Sequence, residues 1–553
     1  MSAKSATWAM SVISAMTNTS PAQAFAATLM AAFAKLGVRN VFLAPGARSQ
    51  ALAIAAGQLA EAERIRLSVR IDERSLGFAA LGAALASGEP SIVITTSGTA
   101  VANLHPAALE ASHAGVPLIL LTADRPAELR GVGANQTTNQ IGIFADAVRE
   151  CFDVPAPNGN DGELAEAAKL AADAIATALG FDGDQPGPVQ INLAFREPLS
   201  ASEPNAAALS PRVALAEREE AKPEFAVLPT AGKTVVVAGA GAGEDAVELA
   251  EAFGWPLFAE PSSGSRFGAN VIVGYRELLS AESTVGKPLA QQINRVVVFG
   301  KPTLGRAVIG LLKNPDVEVI VVRNRAYGHF DVTRRAAQFC DELTVLEEPD
   351  FEWLTQWRTA DAQVNDLAAA SATDAVTRAQ LVHSVWSATG QDDQLLLGAS
   401  RMIREADRHA PAKPIRVFSN RGLAGIDGTV ATATGLVQVE AAEGNIDGIT
   451  RVLLGDLTLQ HDAGSLAYDH SDGEINLQVI VANDGGGSIF EMLEPAQQLS
   501  AESFDRLFRT PQHIDFWSLA QAFGWQHVLV ERVGQLDDAL TLRGRVIVEV
   551  KLG

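Results

Sequence analysis

Arg451-Val452-Leu453-Leu454-Gly455-Asp456-Leu457 and, further along, Leu477-Gln478-Val479-Ile480-Val481-Ala482-Asn483-Asp484-Gly485-Gly486-Gly487 are two apolar runs that each end in a carboxylate beside glycine. Uninterrupted apolar strands belong to parallel sheets covered on both faces. Open sheets of that kind bind ligands outside the carboxyl ends of their strands. If the two strands are neighbours, Asp456 and Asp484 arrive at one edge. A hard divalent cation takes oxygen ligands: a carboxylate or two, then carbonyls, water and phosphate. Glycines let backbone approach a diphosphate closely and leave its N–H groups unhindered. Asp and Gly are also common in ordinary strand-end turns, so the signal lies in the pairing.

The same alternation of strand and helix extends to the rest of the chain. Ser20-Pro21 reads as a helix cap followed by proline at the first helical position. Apolar periodicity then runs through Phe25, Leu29 and Phe33 to Gly37. Strands are expected at 38–43, 67–71, 91–95 and 116–122, with a helix over 75–86. Later strands are expected at 234–238, 394–397, 452–454, 477–481 and 546–550. The expected fold class is α/β, with three doubly wound parallel-sheet domains at 21–200, 230–365 and 376–553. A flexible extension at 1–20 and an Ala/Glu/Pro-rich linker at 201–229 complete the division.

Bulk properties narrow the function. The 553 residues are 47% apolar, enough for several cores. No run approaches the ~20 apolar residues that cross a bilayer, so a soluble protein without membrane insertion is expected. The net charge of −22 repels nucleic acid and anionic surfaces. It also means that anionic substrates would need local clusters of arginine. Cys151 and Cys340 lack metal-ligand spacing and read as free thiols of a reducing, cytoplasmic compartment. Gly239-Ala240-Gly241-Ala242-Gly243 follows a strand but lacks the dinucleotide spacing, so a tight turn into a helix accounts for it better than a nicotinamide site.

Several further segments carry a resemblance: Ala44-Pro45-Gly46-Ala47-Arg48-Ser49, Asp72-Glu73-Arg74, Thr96-Ser97-Gly98-Thr99, Ala123-Asp124-Arg125-Pro126 and Gly133-Ala134-Asn135-Gln136. Gly398-Ala399-Ser400, Ser419-Asn420-Arg421-Gly422 and Gly425-Ile426-Asp427-Gly428 add to it. Together with Gly455-Asp456-Leu457 they resemble the thiamine-diphosphate superfamily of acetolactate synthase and pyruvate decarboxylase. Within it, they are most similar to the 2-succinyl-5-enolpyruvyl-6-hydroxy-3-cyclohexene-1-carboxylate synthases of menaquinone biosynthesis. The likeness is dense in the outer domains and thin in the middle one.

That resemblance implies decarboxylation of 2-oxoglutarate on thiamine diphosphate and 1,4-addition of the succinyl-semialdehyde unit to isochorismate. It implies Glu73 as the catalytic carboxylate on the cofactor's aminopyrimidine ring, favouring the tautomer that takes the thiazolium proton. Asp456 and Asp484 would hold Mg2+ or Mn2+ by side chain and Gly486 by its carbonyl, with Asn483 as the fallback. Pro45, Gly98, Thr99, Ser400, Met402, Ile426, Gly455 and Leu457 would complete the cofactor site, with Ile426 as the wedge that keeps the cofactor bent. Arg48, Arg125, Arg404, Arg421 and Arg306 would fork onto substrate carboxylates, helped by Asn135, Gln136, Ser400 and Phe490. Ala47 stands where such turns usually carry serine. The resemblance also implies a homodimer or homotetramer, because the cofactor would lie between the first domain of one copy and the third of another. Competing readings are another thiamine-diphosphate 2-oxo acid decarboxylase, an acetolactate-synthase-like enzyme, or a non-catalytic binder.

Overall fold

The computed structural model of the protein describes residues 20–181, 185–201, 204–215, 223–228, 232–324, 326, 328, 330–345, 349, 351–368, 374–469 and 472–552. The extension expected at the N-terminus lies outside them, Ser20 excepted. The chain forms two compact units. One holds the first sheet together with Thr434–Val439 and Gly464–Glu474; the other holds the middle and last sheets.

The first unit begins with α1 (Pro21–Lys35), capped as expected: the Ser20 hydroxyl accepts the Gln23 N–H at 3.1 Å. Its sheet consists of β1 (Asn40–Leu43), β2 (Arg66–Val69), β3 (Ser91–Thr95), β4 (Leu118–Asp124), β5 (Cys151–Val154) and β6 (Val189–Ala194). The order is β2-β1-β3-β4-β6-β5, every pairing is parallel, and only the outer strands β2 and β5 are partly exposed. β2 ends at Val69, before the expected residue 71, and Ile71 is 85% exposed. The helix expected from residue 75 starts earlier, as α2 (Glu73–Ser87), because the Asp72 carboxylate accepts the Arg74 and Ser75 N–H groups.

The second unit opens with β7 (Phe225–Leu228), inside the stretch read as a linker. It pairs with β13 (Glu342–Val345), alternating exposed and buried side chains. The middle sheet is built from β8 (Thr234–Ala238), β9 (Leu257–Ala259), β10 (Arg295–Phe299), β11 (Glu318–Val322) and β12 (Ala336–Cys340), in the order β12-β11-β10-β8-β9. Val235 and Val237 enter one core while Val236 and Ala238 enter another, the mark of a sheet buried on both faces. The glycine run is a turn into a helix, Asp245–Phe253. A Cβ on Gly239 would lie 2.0 Å from the Pro302 nitrogen, so the exits of β8 and β10 pass within backbone contact.

The last sheet contains β14 (Gln394–Leu397), β15 (Arg416–Phe418), β16 (Thr450–Gly455), β17 (Leu477–Asn483), β18 (Gln526–Val530) and β19 (Arg545–Lys551). Its order, β15-β14-β16-β17-β19-β18, repeats the winding of the first sheet strand for strand, and all its pairings are parallel. β16 and β17 are neighbours, as the motif pair requires. α3 (Arg306–Lys313) follows β10, α4 (Arg401–His409) follows β14 and α5 (Asp456–His461) follows β16. No helix among the described residues is long and apolar enough to cross a membrane.

Because no side chain fits at Gly239, Gly239→Ala should cost about 3 kcal/mol or more of stability through backbone displacement. Denaturant unfolding of the second unit's core, followed by tryptophan fluorescence, measures this.

Candidate functional site

In the second unit the carboxyl ends of β14, β16 and β17 open onto a cavity of about 1190 Å³. Parallel register sets Gly455 opposite Ala482, so the chain leaves the two strands at Asp456 and at Asn483-Asp484. Asp456 is 3% exposed. Burial, and the Asp484 charge beside it, push its carboxyl up to about 6, against the opposing Leu457 N–H bond at 2.9 Å and the Gly486 N–H. Asp484 accepts Arg378 at 2.6 Å and the Ser488 hydroxyl at 2.5 Å, both on Oδ2. Asn483 is committed elsewhere, donating to Glu549 at 2.8 Å and accepting the Gly485 N–H, and it does not line the cavity.

This arrangement fits a divalent cation and a diphosphate. Two carboxylates held against each other in a poorly solvated place are relieved by a cation between them, and oxygen donors are what Mg2+ takes. Gly486 adopts φ +137°, and a Cβ there would lie 2.5 Å from the Arg509 carbonyl oxygen, so this backbone position is open only to glycine. Among the described residues no group of three or more His, Cys, Asp or Glu forms a closed metal cage. A cation here would take its other ligands from carbonyl, water and phosphate.

The remaining residues expected from this unit line the same cavity, except Arg421. Gly455, Leu457, Ile426, Ser400 and Phe490 line it. Ser400 also caps α4, its hydroxyl accepting the Met402 N–H at 3.1 Å. Met402 touches the cavity but is 2% exposed and packs mainly in the core. Arg404 faces it from α4 and donates to the Ser400 carbonyl at 3.2 Å; burial, then Arg421 and Arg276, pull its pKa down. Arg421 is buried and donates to the Thr303 hydroxyl. Arg306 pairs with Glu494 at 3.0 Å with 79% of its side chain exposed, a pair of little energetic weight.

Arg276, Lys313 and Arg408 join this wall without having been read from the sequence. Arg408 could have been found, since it follows Arg404 by one helical turn; Arg276 and Lys313 lie where the family likeness is thin. They make the wall strongly cationic in a chain of net charge −22.

The first unit gathers its candidates in the same way. Pro45 follows β1, Glu73 follows β2, Gly98 and Thr99 follow β3, and Arg125 follows β4, all at the carboxyl edge. The turn after Pro45 packs closely, since a Cβ on Gly46 would lie 2.2 Å from the Thr96 Cβ. Glu73 is half-buried at the first position of α2, where the helix dipole favours its charge, and accepts the Asn103 amide at 3.4 Å. Arg125 donates to the Ser97 hydroxyl at 2.6 Å and the Asn135 carbonyl at 2.9 Å. Gln136, at φ +53°, binds the Ser97 carbonyl at 2.9 Å. Arg48 is buried and donates to the Phe195 carbonyl at 3.0 Å; burial, then Arg125, pull its pKa down. The two guanidiniums therefore stand close enough to repel.

Known proteins resemble this chain over most of its length. The family described as "Thiamine pyrophosphate enzyme, N-terminal TPP binding domain" matches residues 23–143. A 2-succinyl-5-enolpyruvyl-6-hydroxy-3-cyclohexene-1-carboxylate synthase of Leifsonia xyli is 46% identical, covering 96% of each chain. The proteins of the same name from Clavibacter michiganensis and Kineococcus radiotolerans are 45% and 42% identical, covering 93% and 96% of each chain.

A folded-state pKa raised to about 6 from 3.8 means that Asp456 stabilises the cation-free protein below pH ~4 and that this contribution is lost as pH rises through 6. Asp456→Asn should therefore melt above wild type at pH 8 without divalent cation, with the gap closing towards pH 4. Mg2+ plus thiamine diphosphate should raise the melting temperature of wild type at pH 8 and leave the variant's nearly unmoved. Differential scanning calorimetry reads both, and an equal shift in the variant would place the cation elsewhere.

Proposed function

Because this chain belongs to the 2-succinyl-5-enolpyruvyl-6-hydroxy-3-cyclohexene-1-carboxylate synthase family, we propose that it decarboxylates 2-oxoglutarate and joins the resulting succinyl-semialdehyde unit to isochorismate by 1,4-addition, in menaquinone biosynthesis. The observation that carries this reading is a carboxylate pair beside a cationic wall in one cavity. Thiamine diphosphate supplies the electron sink at which the 2-oxo acid loses carbon dioxide.

The protein's part is binding, orientation and charge. Residues 21–200 form the pyrimidine-binding domain, 230–365 the central one and 376–553 the diphosphate-binding one. Asp456 and Asp484, with the Gly486 carbonyl, would hold Mg2+ or Mn2+ beside the diphosphate, and Gly455, Leu457, Ser400, Met402 and Ile426 would shape the surrounding wall. Glu73 of one copy meets this half-site of another copy, so the working form is a homodimer or a homotetramer. Its carboxylate would hold a proton on the aminopyrimidine ring, with Pro45, Gly98 and Thr99 beside it. Both substrates are dicarboxylates, which suits Arg48, Arg125, Arg306, Arg404 and Arg421, since guanidinium forks bind carboxylates bidentately and stay charged. Asn135, Gln136, Ser400 and Phe490 orient them. Cys151 and Cys340 are free thiols, which suits a cytoplasmic enzyme.

Glu73→Gln should reduce turnover of 2-oxoglutarate with isochorismate by about 1,000-fold or more, in the range that proton-transfer catalysis supplies, while melting and cofactor binding stay close to wild type. Wild-type rates in that variant would remove Glu73 from its role. Release of carbon dioxide from pyruvate in preference to 2-oxoglutarate by the wild-type protein would overturn the substrate assignment.

A further inference from the structure

Glu260 follows β9 at the carboxyl edge of the middle sheet and is 1% exposed. It does not line the cavity. One carboxyl oxygen accepts the Leu304 N–H at 2.7 Å, with the Thr303 N–H also favouring its charged form, while the other oxygen has no partner. Burying a carboxyl in this way is costly, and an apolar side chain would fill the same space at less expense.

What the bond secures is the loop after β10. Lys301 donates to the Gly422 carbonyl at 2.6 Å, and the Thr303 hydroxyl receives the Arg421 guanidinium. Leu304 is inserted among the core residues of the last sheet, beside Met402 and Leu397. The loop is thus a peg driven from the middle sheet to the cavity, where Thr303 and Leu304 join Arg404 in the lining, with the buried Arg421 held behind by Thr303. Glu260 anchors the peg at its root. Arg421 is buried with its Nε unpartnered, so the Thr303 hydroxyl is the polar contact that orients its guanidinium. Burial, with Asp407 nearby, pushes the Glu260 carboxyl up against the influence of Arg421, and glutamine keeps the oxygen that accepts the Leu304 N–H.

We propose that Glu260 is a positioning residue that sets Arg421 for the substrate carboxylate by holding the Thr303-Leu304 backbone. This rests on the dicarboxylate chemistry proposed above, so the test includes a reading that needs no substrate.

Wild type, Glu260→Gln, Glu260→Ala and Thr303→Val are compared with cofactor and Mg2+ present. Labelling of Arg421 by phenylglyoxal, followed by mass spectrometry, should be at least fivefold faster in Glu260→Ala and Thr303→Val than in wild type, and near wild type in Glu260→Gln. The KM for 2-oxoglutarate should rise about tenfold in the first two with a smaller change in kcat, and Glu260→Gln should restore it. In the double variant Glu260→Ala/Thr303→Val, the KM should be no worse than in the more affected single one, since both break one chain of contacts. Unchanged Arg421 labelling in folded Glu260→Ala, or KM effects that multiply in the double variant, would overturn the inference. Should Glu260→Ala not fold, unchanged labelling and KM in Thr303→Val have the same force. Altered labelling with no turnover of 2-oxoglutarate by wild type would instead sink the substrate reading and leave the anchoring role standing.

Discussion

Parallel register is the constraint from which the second unit's site follows. With Gly455 fixed opposite Ala482, β16 and β17 must release their chains at neighbouring points on one edge, and both releases carry aspartate. Neither aspartate can retreat into solvent: Asp456 is buried, and Asp484 is tied to Arg378 and Ser488. The sheet thus holds two carboxylates near each other, at a cost that Arg378, a proton on Asp456 or a bound cation can lower. Glycine at 486 then follows from the same geometry, because the Arg509 backbone fills the space where a side chain would stand.

Around this pair the protein reverses the sign of its own field. A chain of net charge −22 would repel dianions at long range, yet the cavity wall carries Arg276, Arg306, Lys313, Arg404 and Arg408. Keeping such cations close together has its own cost, visible in Arg404, whose guanidinium is disfavoured by burial and by its arginine neighbours. Asp407 answers part of it. Fully buried on α4, it accepts the Tyr275 hydroxyl at 2.5 Å and Arg276 at 2.8 Å, and so fixes one of the cavity arginines from behind.

The sheets were legible because their strands are apolar runs punctuated by glycine and aspartate, and strands such as Ser91–Thr95, Thr234–Ala238 and Gln394–Leu397 begin and end where periodicity places them. Boundaries moved where side chains outside the pattern decided them, as when the Asp72 cap drew Glu73 into the first turn of α2. The cavity residues Gly455, Leu457, Ile426, Arg404 and Phe490 could be found through the resemblance, Ile426 in a motif specific to the family and Gly455 and Leu457 in one shared by the superfamily. Glu260, Arg276 and Asp407 could not. Each is one charged residue whose importance arises from a partner distant in sequence, 44 positions for Glu260 and Leu304 and 131 for Arg276 and Asp407. β7 was missed for a related reason: its two buried side chains, Ala226 and Leu228, gain meaning only when β13 lies alongside.

The shared winding of the first and last sheets has a consequence for engineering. Two frames with the same strand order present equivalent sockets at their carboxyl edges, so chemistry in this protein is specified by the inserts plugged into those sockets rather than by the frames. The segments after β3 and β16 are the ones to exchange for new chemistry, although residues such as Ser97, Val101 and Leu459 are buried and must keep their packing. The crossing of Gly239 with Pro302 offers no such latitude, since backbone meets backbone there and leaves no spare length to trade.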